Sequence, residues 1–206
     1  MLRWIVLLIA SLPLLAHAGA GLDSLDVFLK EMKTLQGQFV QIQYNADHQE
    51  TQRASGTLEL ARPGRFRWVY SEPYHQELVA DGASLWIYDQ DLDQATEKPL
   101  RQALGQAPIM LLMEDRRPLE DAFILTDLGQ DKGMDWVELK PRGEVADFRE
   151  VKLAFRERML ARMQLTDTFG QITLIEFSAM RLNSKLAEER FRFTPPPGVD
   201  VVRALK

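Results

Sequence analysis

The 206-residue sequence contains no cysteine and only 3 histidines. Without thiols, disulfides cannot hold the fold and the Cys-based zinc patterns are closed off, so stability has to come from buried apolar surface. Catalytic signatures are equally thin. There is no Gly-x-Ser-x-Gly elbow, no glycine-rich phosphate loop and no His-Glu-x-x-His helix. His17 falls in the N-terminal leader described below, which leaves His48 and His75, too few for a nitrogen-ligated zinc or a Ser-His-Asp arrangement. His48 lies in the polar run from Asn45 to Arg53 and His75 follows Pro73 and Tyr74, and both read as surface residues. Asp89, Asp91 and Asp93 resemble part of a calcium loop but lack its glycine and distal glutamate, so they read as a solvated turn. No catalytic residue, metal site or cofactor is expected.

Positive charge is also scarce. The 25 Lys and Arg face 30 Asp and Glu, and the leader carries one of the arginines, so the mature chain stands near −6. With no dense basic patch to engage phosphates, nucleic acid is excluded as a partner.

Long hydrophobic runs are absent except at the N-terminus. Met1 to Ala18 shows a positive charge at Arg3, an apolar stretch from Ile5 to Leu15, and then Ala16-His17-Ala18. That is a secretory signal with cleavage expected before Gly19. The stretch is shorter than the roughly 20 residues that span a bilayer. A lipid anchor would need a cysteine at the cleavage point, so the mature chain is expected to be soluble. Residues 19–206 are long enough for one domain with a sizeable core.

From Leu22 to Leu35, Leu22, Leu25, Phe28, Leu29, Met32 and Leu35 fall at helical spacing, with Asp23 or Ser24 available as a cap. After Gly37 the period changes to 2. Val40, Ile42 and Tyr44 alternate with Phe39, Gln41 and Gln43, and the same pattern returns at Leu58/Leu60, Phe66/Trp68/Tyr70, Leu85/Ile87, around Trp136, and at Val151/Leu153/Phe155, Met159 to Leu165 and Thr173/Ile175/Phe177. Pro63-Gly64, Asp81-Gly82, Asp131-Lys132-Gly133 and Asp167 to Gly170 separate these runs at hairpin intervals, too short for βαβ crossovers. The expected architecture is mainly β, an antiparallel meander of roughly ten or more strands in one curled sheet or barrel. Alternation alone leaves a filled sandwich and a hollow barrel equally open.

One interval breaks the strand rhythm. Between Arg101 and Arg116, Pro108-Ile109-Met110-Leu111-Leu112-Met113 is too apolar for a surface loop, and Pro108 suits the first turn of a helix. Such a block either plugs one end of the sheet or acts as a mobile lid, and flexible methionines suit varied apolar ligands.

The phrase Gly56-Thr57-Leu58-Glu59-Leu60-Ala61-Arg62-Pro63-Gly64-Arg65-Phe66-Arg67-Trp68 is the most specific wording in the chain. It is followed in order by Leu78-Val79-Ala80-Asp81-Gly82, Leu85-Trp86-Ile87-Tyr88-Asp89, Gln94-Ala95-Thr96 and Phe193-Thr194-Pro195-Pro196-Pro197-Gly198-Val199. Over essentially the whole mature chain this succession resembles the outer-membrane lipoprotein carrier protein family, with Asp115 to Asp121 and Glu144 to Arg158 departing from it. The resemblance implies an unclosed antiparallel barrel with an N-terminal helix and a helical lid over an apolar cavity. It implies a lid latch at Arg62 and Pro63, because an arginine of the matched phrase bonds lid backbone in the closed state, and partner docking at the cavity mouth by Phe66. Leu58, Trp68, Ile109, Met110, Leu112 and Met113 are then expected to line the cavity and lid. A periplasmic, monomeric, non-enzymatic chaperone follows, whose partners would be triacylated outer-membrane lipoproteins, an inner-membrane lipoprotein-releasing ABC transporter and an outer-membrane receptor. A binding protein for another lipid and a small esterase are the alternatives, the second lacking any motif.

Overall fold

The computed structural model describes residues 19–100, 108–113, 116–143 and 148–203, with the side chains of residues 108–110 also outside the description. The leader at residues 1–18 lies outside the described residues.

Helix α1 spans Ala20–Glu31 and buries Gly21, Ser24, Leu25, Phe28 and Leu29 along one stripe. It starts two residues before the expected Leu22 and stops short of Leu35. Met32 turns extended, and Leu35 belongs to the first strand, where its apolar side chain serves a period of 2 equally well. Asp23 and Ser24 do not cap the helix. Gly19 occupies the N-cap position with no side-chain bond, and the Leu22 N–H donates to Asp127 Oδ2 at 2.9 Å. At Gly21 a Cβ would collide with the backbone carbonyl of Trp136, so only glycine lets the helix lie this close to the sheet.

Twelve strands form one sheet. They are β1 Thr34–Tyr44, β2 Glu50–Ala61, β3 Arg65–Glu72, β4 Gln76–Asp81, β5 Ser84–Asp89, β6 Gln94–Pro99, β7 Phe123–Asp131, β8 Met134–Pro141, β9 Phe148–Arg156, β10 Met159–Asp167, β11 Ile172–Leu182 and β12 Asp200–Arg203. Their order across the sheet is β12-β6-β5-β4-β3-β2-β1-β11-β10-β9-β8-β7, and the two outer strands, β12 and β7, do not pair with each other. The curl is therefore unclosed. Every pair is antiparallel except β12 with β6, the one departure from a meander.

Topology gives the interruption between β6 and β7 its task. β6 lies beside one edge of the sheet and β7 forms the other, so the connection has to travel from one side of the curl to the opposite one. It contains a 3₁₀ segment, Pro108–Met113, and helix α2, Arg116–Ala122. Leu111, Leu112 and Met113 are buried in the same apolar cluster as α1 and the concave face of the sheet.

The register explains why these sequences pair. On the concave face Leu35, Leu60, Phe66, Ala80 and Leu85 form one row across five strands, and Gly37, Leu58, Trp68, Leu78 and Ile87 form the next. Slipping a strand by one residue would turn its whole apolar set outward. α1 covers the far half of the same face, with Phe28 against Phe155 at a ring separation of 5.5 Å. In β8 Met134, Val137, Glu138 and Leu139 are buried, with Val137 and Leu139 in the apolar cluster, while Trp136 points to the other face, where Ala154 and Gly129 are its cross-strand neighbours. The convex face of β3–β6 is covered by the C-terminal segment. Phe193 packs at a tilt against Trp86 and Tyr88, Phe191 is buried beside the Arg65 guanidinium, and Arg190 donates to Glu59. No described helix is long and apolar enough to cross a membrane.

Candidate functional site

Arg62 stands in the turn between β2 and β3, beside the C-terminal end of α1. Its backbone N–H donates to the carbonyl of Lys33 at 2.9 Å, and the Arg62–Pro63 peptide is cis. The guanidinium reaches two separate elements. Nη2 and Nε both donate to the carbonyl of Leu112, at 2.7 and 3.3 Å, while Nη1 donates to the carbonyl of Leu29 at 2.7 Å. Leu112 and Leu29 each lie near the last residue of their helical segment, where carbonyls lack intrahelical partners and the helix dipole is negative. A planar cation with several forked donors fits such a pair of acceptors, and a lysine could not span both. The second acceptor, on α1, has no signature in sequence, because it depends on where the helix ends against the β2–β3 turn.

Around this cation the surroundings are apolar. Leu112 is fully buried and Met113 nearly so. Leu58 and Trp68 face each other across β2 and β3, both buried on the concave face. Ile109 and Met110 belong to the 3₁₀ segment, and their side chains lie outside the described residues. Phe66 is 1 % exposed, one row nearer Arg62, among the largest fully buried side chains. In this conformation it is part of the core.

Further from Arg62 the concave face changes character. Phe39 lies against Trp68 at 4.2 Å between ring centroids and meets Tyr70 edge-on at 5.2 Å, Phe177 approaches Trp68 at 6.3 Å, and Tyr74 lies 5.4 Å from Tyr70. Gly56 pairs with both Phe39 and Tyr70, and a Cβ there would collide with the Val69 backbone carbonyl and crowd the Phe39 ring. Within this aromatic group Tyr70 Oη donates to Gln41 Oε1 at 3.0 Å. Burial pushes the Tyr70 hydroxyl well above the usual tyrosine range, reinforced by Tyr74, so it stays a protonated donor. The clue in sequence was a glutamine, Gln41, on the same side as Phe39, which alternation alone cannot separate from a solvent-facing one.

Other polar groups sit at the surface. His75 and Asp91 are an exposed pair 3.8 Å apart, His48 occupies a loop with positive φ, and Asp89 closes its own turn by accepting from the N–H groups of Asp91 and Leu92. Among the described residues no three His, Asp or Glu side chains gather as a metal site.

Residues 30–194 match the family model of the outer membrane lipoprotein carrier protein LolA. The outer-membrane lipoprotein carrier protein of Dechloromonas aromatica is 42% identical over 193 residues, covering 94% of this chain and 92% of the relative. That of Halorhodospira halophila is 40% identical over 200 residues, covering 97% and 94%. Among solved structures, an uncharacterized conserved protein from Thermus thermophilus shares the fold at a TM-score of 0.57 with 15% identity, covering 89% of this chain and 96% of that one. With the family model spanning most of the sequence and relatives matching nearly end to end, the chain belongs to the outer membrane lipoprotein carrier protein family.

Proposed function

We propose that this protein is a periplasmic carrier that receives acylated lipoproteins from an inner-membrane lipoprotein-releasing ABC transporter, shields their acyl chains inside the curled sheet, and passes them to an outer-membrane receptor. The observation that carries this reading is the set of bonds from Arg62 to the carbonyls of Leu112 and Leu29 beside a mainly apolar concave face. Apolar contacts alone close a sheet without direction, whereas a few directional bonds, each worth about 1 kcal/mol net, can be made and broken as a unit. The segment Pro108–Met113 is then the lid and Arg62, held by Pro63 in its turn, the latch. Leu58, Trp68, Leu112 and Met113 present the surface that acyl chains would meet, and Ile109 and Met110, whose side chains lie outside the described residues, are proposed to join it from the lid.

The energetics favour such a device. At about 0.8 kcal/mol per buried methylene, three acyl chains represent tens of kcal/mol of transfer free energy, which water exposure forbids and which no carrier could release if it captured all of it. Latch bonds stabilise the empty, closed form, so cargo entry has to break them and the net affinity stays moderate. Phe66 would meet the transporter or receptor only in the open form, because the closed form buries it. The carrier itself performs no chemistry, and nucleotide hydrolysis belongs to the transporter. Cleavage after Ala18 would release residues 19–206 into the periplasm as one monomeric unit, with α1 beginning at Ala20.

The test is to isolate the tagged mature chain from periplasm and identify by mass spectrometry what travels with it. Enrichment of proteins with acylated N-terminal cysteines is expected. Free phospholipid without acylated protein would replace this reading with that of a general lipid-binding module.

A further inference from the structure

Helix α1 is the fixed post on the concave face. Asp127 and Asp135 of the β7–β8 hairpin hold its start through Leu22 and Ser24, and Phe28 packs against Phe155 on the sheet. Among the described residues, the connection between β6 and β7 is fastened to this post by two arginines. Arg62 joins Leu112 of the 3₁₀ segment to the carbonyl of Leu29. Arg116, the first residue of α2, donates from Nη1 to Asp26 Oδ1 at 2.6 Å and from Nε to Glu120 Oε1 at 2.9 Å. Asp26 and Leu29 are three residues apart on α1, a spacing that places them on one helix face about 4.5 Å apart along the axis. Both fastenings therefore meet the post along one line.

The two differ in kind. Arg62 is partly buried and bonds neutral carbonyls, an arrangement that salt screens little. Arg116 and Asp26 are both ions, with side chains 28% and 51% exposed, so counter-ions weaken their attraction. Release leaves no bare charge, because Arg116 keeps Glu120, four residues on in its own helix, and Asp26 faces solvent. The far end of α2 is tied down separately. Arg142 donates through its backbone N–H to the carbonyl of Ala122 and through Nε to that of Glu120, both at 2.9 Å, and Leu119 is buried beneath the helix. A helix anchored at its C-terminal end, and held at its first residue by an exposed ion pair, lifts from its N-terminal end.

We propose that Arg116 and Asp26 form a second, ionic latch of the lid, released separately from Arg62, whose opening frees the first turn of α2 and widens the aperture for cargo with more than one acyl chain. The inference rests on the carrier reading for its cargo and on the ion pair for its motion. Release of Arg62 alone lifts the 3₁₀ segment, and release of both moves that segment and the first turn of α2 together. Ionic strength then adjusts how far the lid opens.

Amide hydrogen exchange on the mature protein tests the motion. Relative to β1, Leu119 to Ala122 should exchange roughly two- to fivefold faster in about 1 M salt than in about 0.01 M, where the screening length is about tenfold longer. Asp26→Asn should show the fast rate at both concentrations. Reversing the charges together, as Asp26→Lys, Arg116→Glu and Glu120→Lys, should slow exchange relative to Asp26→Lys alone and restore its salt response, which a merely structural role for these residues would not do. Wild-type exchange of Leu119 to Ala122 in Asp26→Asn, or no recovery on charge reversal, overturns the latch.

Uptake of a fluorescent fatty acid and of a fluorescent diacylated cysteinyl peptide tests the aperture. Asp26→Asn should take up the diacylated peptide faster than wild type, by a factor similar to that in exchange, and the single-chain fatty acid at an unchanged rate. Equal acceleration of both probes, or of neither, overturns the wider aperture. A wild-type protein that binds neither probe while α2 keeps its salt-dependent exchange removes the carrier reading and leaves the ionic latch standing.

Discussion

The carboxylate of Asp127, on the edge strand β7, accepts the backbone N–H of Leu22 at 2.9 Å and so caps helix α1 from 105 residues away. Its second oxygen accepts from the Gly129 N–H at 2.7 Å, and the neighbouring Ser24 hydroxyl donates to Asp135 at 2.8 Å. Two acids of the β7–β8 hairpin thus hold the start of the helix that covers half of the concave face. A carboxylate at a helix N-terminus satisfies an orphan donor and meets the positive end of the dipole. Asp127→Ala is expected to lower stability by about 1–2 kcal/mol, measured by urea denaturation, with faster amide exchange confined first to residues 20–25. Unchanged exchange there would show that the cap is dispensable.

Arg62 ties the lid to α1, and Arg62→Leu removes the donors while leaving two buried carbonyls without partners. A loss of about 1–3 kcal/mol is expected, together with faster amide exchange in Leu111 to Met113. Cargo should still load, and its transfer to the receptor should slow, because the empty closed form no longer competes for the cavity. Arg62→Lys should recover part of the stability at most, since one ammonium cannot serve both Leu112 and Leu29. Wild-type transfer by the leucine variant would dismiss the latch.

Phe66 separates docking from packing. Its side chain is fully buried, so Phe66→Glu places a carboxylate in the core and should cost at least 3 kcal/mol, visible as a large fall in melting temperature. Phe66→Leu keeps an apolar side chain and should fold, losing about 1 kcal/mol. Impaired loading by the folded leucine variant would assign Phe66 a direct part in partner recognition; normal loading would leave it a core residue only.

Tyr70 predicts a particular alkaline response. Its folded-state pKa lies above the ordinary value of 10.0 because the hydroxyl is buried. A raised pKa means that the folded protein holds this proton more tightly than the unfolded chain. The associated stability is complete below about pH 10 and declines as pH rises beyond it. Tyr70→Phe should cost about 1 kcal/mol at pH 7, where Gln41 loses its donor, and its deficit relative to wild type should shrink between pH 9 and pH 11. Denaturation series at those values, with tyrosinate absorbance followed alongside, check the sign. A deficit that grows with pH would contradict the burial of the hydroxyl.

Much of the fold was legible because its signals are local. Strand alternation at Leu58/Leu60, Phe66/Trp68 and Val151/Leu153/Phe155 requires one buried face, and Pro63-Gly64 or Asp131-Lys132-Gly133 fit the turns that join neighbours. The apolar block at Pro108–Met113 could be recognised as covered, since no surface loop tolerates it. The helix boundaries were less legible: Leu35 satisfies both periods, and the true cap is Asp127. In β8 the aromatic Trp136 is the most conspicuous strand residue, although Val137 and Leu139 carry the face turned to the apolar cluster.

By itself the sequence determined the class of the molecule, a cysteine-free curled sheet with an apolar interior, because periodicity and turn chemistry act over a few residues. Tertiary structure alone decided what faces that interior at each point. The opposite placement of β6 and β7 carries the apolar block across the opening. The meeting of the β2–β3 turn with two helix ends gives Arg62 its acceptors. The register of β1, β2 and β3 gathers Gln41, Trp68 and Tyr70 on one face. Each depends on groups brought together from distant parts of the chain, a relation that no local pattern encodes.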